Sequence, residues 1–125
     1  MGRWASRIRL AFRFPRMGPG TTTSNSLAEA PIPEASLEVR VAGRVQGVGF
    51  RYFTVEAARR LRLAGYVMNT RDGGVRAYAE GTRESLEQFL EALQRGPTGA
   101  RVREVRANWG AATGAHSTFT IQPTL

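Results

Sequence analysis

The sequence contains no cysteine and only one histidine, His116. The absence of thiols excludes disulfides, thiolate catalysis and cysteine-ligated metal sites. A zinc site would need carboxylates for nearly all of its ligands, which is an unusual set for that metal. A Ser–His–Asp triad would depend entirely on His116, near the end of the chain. We therefore expect neither a cysteine-ligated metal nor a zinc site.

Lysine is absent too, so all 18 basic residues are arginines, and the formal net charge is +8. Arginine suits oxyanion binding because its planar guanidinium matches the oxygens of phosphate and carboxylate. A strongly basic chain is also compatible with nucleic-acid binding. Composition and net charge alone therefore leave both a small anion and a nucleic acid as candidate partners.

Long apolar runs are missing as well, and no stretch reaches the length of about 18 residues that a membrane-spanning helix needs. Arginines interrupt the first residues at short intervals, unlike the apolar core of a secretory signal. We therefore expect a cytoplasmic protein that does not associate with a membrane.

Residues 1–33 are rich in arginine and then in Gly, Ser, Thr and Pro. Such a composition buries too little apolar surface to fold alone. We expect either a disordered extension or a start codon placed too early, with the folded domain at 34–125. The arginine-rich, acid-poor composition leaves one sharper alternative, an amphipathic targeting or surface-binding segment.

Hydrophobic periodicity predicts a regular domain. Apolar residues alternate over 37–41 and 75–79, as in half-buried strands, and recur every three or four positions over 50–64, as in an amphipathic helix. Gly65 is the expected end of that helix. The other predicted elements are a strand over 66–70, a hairpin turn at Arg71-Asp72-Gly73-Gly74, a helix from the N-cap Thr82 to Gly96-Pro97, and strands around Val105–Trp109 and Phe119–Ile121.

The resulting order is β-α-β-β-α-β with a short extra strand. This order predicts an α+β, ferredoxin-like sandwich in which two helices cover one face of a mostly antiparallel sheet. Because many unrelated activities use this fold, the fold alone does not give a function.

A glycine-rich segment joins the first strand to the first helix, and it reads Gly43-Arg44-Val45-Gln46-Gly47-Val48-Gly49-Phe50-Arg51. Successive backbone N–H groups in such a loop can bind an anion, and a helix N-terminus adds unpaired donors. The Arg51 guanidinium could add bidentate, charge-assisted hydrogen bonds to the anion. Glycine-rich turns also occur without ligands, and the segment matches neither GxGxxG nor the P-loop. The residues alone leave Arg51 as either an anion ligand or a surface charge.

This segment resembles the signature loop of the acylphosphatase family, and a second family motif resembles Gly65-Tyr66-Val67-Met68-Asn69-Thr70-Arg71-Asp72-Gly73-Gly74-Val75. Ala79-Glu80-Gly81 and Gly96-Pro97 also stand where the family has similar residues. The resemblance covers roughly residues 36–122. It implies hydrolysis of the carboxyl–phosphate bond of acyl phosphates, without a metal ion or a phosphoenzyme.

The resemblance also implies a role for each site residue. Arg51 would bind the substrate phosphate and Asn69 would orient the attacking water. The amides of the loop would complete the phosphate site, and the loop residues are Arg44, Val45, Gln46, Gly47, Val48, Gly49 and Phe50. The implied partners are a small-molecule acyl phosphate and a bound phosphate or sulfate. We further expect a monomer.

Two alternatives stay open. An RNA-binding module can share this topology, but it needs stacking aromatic residues on the central strands. The predicted strand over 75–80 offers only Tyr78. The second alternative is an acylphosphatase-like domain that has lost activity and serves in protein interactions.

Overall fold

The computed structural model of the protein describes residues 6–7 and 32–124. Its elements in chain order are β1 (Ser6–Arg7), β2 (Ala35–Arg44), α1 (Phe50–Arg60), β3 (Ala64–Asn69), β4 (Val75–Gly81), α2 (Arg83–Arg95), β5 (Arg101–Gly110) and β6 (Phe119–Ile121). The strands form one sheet in the order β1-β5-β2-β4-β3-β6. Only the β3–β6 pair is parallel among these strands. The predicted α+β, ferredoxin-like arrangement is confirmed.

The core lies between the sheet and the two helices. In β2, Leu37, Val39 and Val41 are almost fully buried, whereas Arg40 between them is exposed. This alternation follows from the two-residue period of a strand, which sends neighbouring side chains to opposite faces. The ring of Phe89 from α2 packs 5.9 Å from that of Phe119 on β6.

Helix α1 ends earlier than the sequence suggested. Its last helical residue is Arg60, and Arg62 takes the left-handed conformation with φ 61°. The Leu63 N–H donates to the Ala58 carbonyl at 2.9 Å, and the Arg62 N–H donates to the Arg59 carbonyl at 3.1 Å. These are the two hydrogen bonds of a Schellman motif. The prediction that Gly65 ends the helix is therefore wrong, because Gly65 already belongs to β3.

The hairpin and the second helix are confirmed. The Thr70 N–H donates to the Gly74 carbonyl at 2.9 Å, which closes the turn between β3 and β4. At the start of α2, the Thr82 hydroxyl accepts a hydrogen bond from the Ser85 N–H at 3.1 Å. Gly96 caps the other end of α2.

The predicted extension falls mostly outside the described residues. Within residues 1–33, the structure describes Ser6–Arg7 and residues 32 and 33. Ser6 and Arg7 pair with Ala107 and Arg106 of β5. The assignment of 1–33 as an extension stays a prediction. Among the described residues, no helix is long and apolar enough to cross a membrane.

Candidate active site

The sheet topology brings the two predicted site residues together. Strands β2 and β3 both run antiparallel to β4, which lies between them, so their C-terminal ends meet at one end of the sheet. Arg51 follows β2 through the glycine-rich loop, and Asn69 is the last residue of β3. Both residues line one cavity of about 300 Å³.

The glycine-rich loop ends in a helix N-terminus without a side-chain cap. Gly47 (φ 76°) and Gly49 (φ 82°) are both left-handed, a conformation that glycine adopts without steric cost. The Gly49 carbonyl accepts the first helical hydrogen bond, from the Phe53 N–H at 3.0 Å. No side chain caps this end, and the first turn of α1 holds no acidic residue. The positive end of the helix dipole therefore faces the cavity without a negative side chain beside it.

A side chain of the loop ties it to the hairpin that follows Asn69. The Gln46 side-chain nitrogen donates to the Thr70 carbonyl at 2.8 Å and to the Gly74 carbonyl at 2.9 Å. Both bonds are partly buried. They fix the distance between the loop that carries Arg51 and the strand end that carries Asn69.

Arg51 and Asn69 are both half-buried. Within the part of the chain that the structure describes, neither side chain has a hydrogen-bond or ion-pair partner. A half-buried guanidinium and a half-buried carboxamide that share a cavity offer donors to an anion, and the carboxamide oxygen also offers an acceptor. The site is thus chemically equipped to hold an oxyanion and a water molecule side by side.

A family model for acylphosphatases matches residues 37–121, which include this whole site. The chain belongs to the acylphosphatase family. It is 46% identical over 89 residues to an acylphosphatase of Salinibacter ruber, covering 71% of this chain and 94% of that protein. It is 50% identical over 74 residues to one of Thermus thermophilus, covering 59% of this chain and 84% of that protein.

Solved structures of acylphosphatases share the fold. The crystal structure of the acylphosphatase from Bacillus subtilis has a TM-score of 0.68 at 38% identity, over 70% of this chain and 98% of that chain. A structure of an acylphosphatase from Coxiella burnetii has a TM-score of 0.65 at 36% identity, over 72% of this chain and 94% of that chain.

The loop residues expected at an acylphosphatase site fall into two groups. The cavity is lined by Val45, Gly47, Gly49 and Phe50 but not by Arg44, Gln46 or Val48. The side chains of Val45 and Phe50 lie in the core, with 1% of each residue exposed, so these two can present only backbone atoms to a ligand. Arg44 is exposed, and Val48 packs against the core.

Two cavity-lining residues were missed by sequence reasoning. Tyr52 lies next to Arg51 in the first turn of α1, and Ile121 lies on β6. Alternation around Phe119 and Ile121 predicted only a short strand. The parallel pairing of Ile121 with Val67, which places it beside the cavity, has no local sequence signal.

A larger cavity of about 390 Å³ is lined by Arg40, Arg103 and Arg106. Asp72 and Glu104 also line it, and Arg106 forms an ion pair with Glu104 at 3.0 Å. Its two carboxylates lie beside the arginines, whereas, among the described residues, the lining of the smaller cavity holds no carboxylate and includes the uncapped N-terminus of α1, which makes the smaller cavity the better anion site.

On the sheet face away from the helices, aromatic side chains pack against one another. The rings of Tyr66 and Tyr78 stack at 5.6 Å, and the His116 ring lies 5.7 and 5.6 Å from them. The Tyr78 hydroxyl donates to the Glu80 carboxylate. These rings therefore use part of their surface in contacts with one another, whereas an RNA-binding module stacks bases on its exposed aromatic rings.

Glu80 anchors the segment that follows β5. Its carboxylate accepts hydrogen bonds from the Thr113 N–H at 3.0 Å, the Thr113 hydroxyl at 2.7 Å and the Gly114 N–H at 2.9 Å. Burial raises the pKa of this carboxyl, but the hydrogen bonds from Tyr78, Thr113 and Gly114 outweigh that effect and lower the pKa from 4.5 to about 2. Among the described residues, no group of three or more His, Cys, Asp or Glu side chains is arranged to hold a metal ion.

Proposed function

We propose that this acylphosphatase hydrolyses acyl phosphates to a carboxylate and inorganic phosphate in the cavity between the glycine-rich loop and the end of β3. One observation supports this most strongly. In the described part of the chain, an uncapped helix N-terminus shares one cavity with an arginine and an asparagine whose side chains have no hydrogen-bond or ion-pair partner. Together they supply a phosphate site with a polar group beside it.

Arg51 and the backbone amides of the loop bind the substrate phosphate. The guanidinium forms charge-assisted hydrogen bonds to the phosphate oxygens. The first N–H groups of α1 have no intrahelical acceptors, so they are free to donate to the same anion. The glycines at 47 and 49 leave open space where a Cβ would stand, which allows a ligand to approach the backbone closely.

Asn69 holds the attacking water. The water oxygen attacks phosphorus and the bond from phosphorus to the carboxyl oxygen breaks. The bonding electron pair leaves with the carboxylate, and the water proton passes to a phosphate oxygen of the substrate. A carboxylate is a good leaving group, so positioning of the water and stabilisation of phosphate charge supply much of the rate.

The proposal also includes the oligomeric state, the location and the requirements of the enzyme. The enzyme acts as a monomer in the cytoplasm and needs neither a metal ion nor a cofactor. Inorganic phosphate or sulfate competes with the substrate for Arg51 and the loop amides. Neither a membrane nor a nucleic acid is a partner.

Hydrolysis in water labelled with heavy oxygen tests the proposal. The purified protein is given benzoyl phosphate in the presence of a chelator, with the uncatalysed reaction as control. We expect enzyme-dependent hydrolysis with the label in phosphate, because the water attacks phosphorus. Label in benzoate would show attack at the carbonyl carbon, and no hydrolysis above the control would contradict the activity itself.

A further inference from the structure

Large apolar side chains are exposed at the mouth of the cavity. Among the described residues, three large hydrophobic residues are exposed, namely Ile32 (80%), Tyr52 (73%) and Ile121 (39%). Two of the three, Tyr52 and Ile121, line the cavity that holds Arg51 and Asn69. Exposed apolar surface is unfavourable in water, and its concentration at a ligand cavity indicates a contact made on binding.

Both side chains are carried by well-anchored elements. Tyr52 lies in the first turn of α1, directly after Arg51. Strand β6 is held to β3 by the hydrogen bond from the Gln122 N–H to the Val67 carbonyl at 2.9 Å. The Arg59 guanidinium of α1 also donates to the Phe119 carbonyl at 3.1 Å. The helix and the strand that carry this apolar surface are therefore held together before a ligand binds, which lowers the entropic cost of binding.

The charge of the cavity restricts what this surface can receive. Arg51 is the only charged residue among the described residues that line it. If Arg51 and the loop amides bind the phosphate, no second cation in the lining is left for a second phosphate or a carboxylate on the acyl group.

We propose that Tyr52 and Ile121 form the binding surface for the acyl group, so that the enzyme favours acyl phosphates with an apolar or aromatic acyl group over small polar ones. This inference rests on the proposed function, because it assumes that the phosphate lies against Arg51. The acyl group then extends from the phosphate toward the cavity mouth and covers the exposed tyrosine ring and isoleucine side chain.

The test compares kcat/KM for benzoyl phosphate and acetyl phosphate in the wild type and in variants. In Tyr52→Ser and in Ile121→Ser, we expect the benzoyl-to-acetyl ratio to fall by roughly fivefold, the size of effect that a lost apolar contact in a partly open pocket produces. Comparing ratios between variants removes the difference in intrinsic reactivity of the two substrates. Tyr52→Phe should keep the wild-type ratio, because the contact is made by the ring.

Ile32→Ser is the matched control, since Ile32 is also an exposed isoleucine but does not line the cavity. Its ratio should equal that of the wild type. The inhibition constant of inorganic phosphate, which lacks an acyl group, should also stay the same in all four variants. Unchanged ratios in both Tyr52→Ser and Ile121→Ser would overturn this inference while leaving the proposed function intact. A wild-type protein that hydrolyses neither substrate would overturn both.

Discussion

The side-chain nitrogen of Gln46 lies 2.8 Å from the carbonyl oxygen of Thr70, the residue that follows Asn69. This contact joins two segments 24 residues apart in the sequence and links the loop that we propose to bind phosphate to the strand end that would hold the water. The proposed function of the loop would therefore depend on a side chain that does not line the cavity itself.

Replacing Gln46 by alanine should lower both stability and activity. The Thr70 and Gly74 carbonyls would each lose one hydrogen bond but keep a backbone donor, so the loss of two bonds should cost about 1–3 kcal/mol in the free energy of unfolding. The rate should also fall, because Asn69 loses its fixed distance from the loop. Urea denaturation and kcat for benzoyl phosphate measure the two effects. Gln88→Ala, at an exposed position of α2, is the control and should change neither.

Much of the fold follows from local signals in the sequence. Alternation gave the strand faces, and the Asp72-Gly73 turn and the Thr82 cap behave as their residue types predict. The end of α1 could not be predicted from such signals. Arg62 adopts the left-handed conformation that usually favours glycine, while the nearby Gly65 lies in β3.

The site was predictable only in part for a similar reason. Arg51 and the glycines around it are close in sequence, so the loop could be recognised from the sequence as a candidate anion site. The Gln46 contacts and the position of Ile121 depend on pairings between distant segments, which leave no local pattern.

Gly65 is required by a close backbone approach in the sheet. Its φ is 146°, and a Cβ there would lie 1.9 Å from the Tyr78 carbonyl oxygen. We expect Gly65→Ala to lower the free energy of unfolding by at least about 2 kcal/mol. Gly73→Ala is the comparison, since Gly73 also has a positive φ but open space around it, and should cost only about 1 kcal/mol. Equal losses in the two variants would contradict the role assigned to Tyr78.

Glu80 should make stability fall in acid. Its pKa is about 2 in the folded protein and 4.5 without these contacts, so its charged form stabilises the fold above about pH 4.5. That contribution is lost as the pH falls toward 2, and by linkage it amounts to about 3 kcal/mol. In Glu80→Gln this part of the pH dependence should be missing, whereas the exposed control Glu84→Gln should keep it. Denaturant unfolding between pH 6 and pH 2, at roughly unit steps, measures the difference. Parallel curves for the wild type and Glu80→Gln would contradict the assignment.

Deleting residues 1–33 should leave kcat/KM for acyl phosphates unchanged. We propose that residues 34–125 contain the whole catalytic domain, and the described part of the deleted segment supports this. Ser6 and Arg7 pair with β5, whereas the cavity is lined by residues of the loop, α1, β3 and β6. A truncated protein that folds but loses most of its activity would show that the segment contributes to the site.

The most direct test of the proposed mechanism is the separate replacement of Arg51 and Asn69, with kcat and the inhibition constant of inorganic phosphate measured for each variant. In Arg51→Gln, the inhibition constant should rise by about tenfold or more, because charge-assisted hydrogen bonds to the anion are lost. In Asn69→Ala, kcat should fall by about a hundredfold or more while the inhibition constant stays within about twofold of the wild type. Asn108→Ala, on β5 and away from the cavity lining, is the control for a general effect of losing an asparagine. An Asn69→Ala protein with the kcat of the wild type would contradict the assigned mechanism.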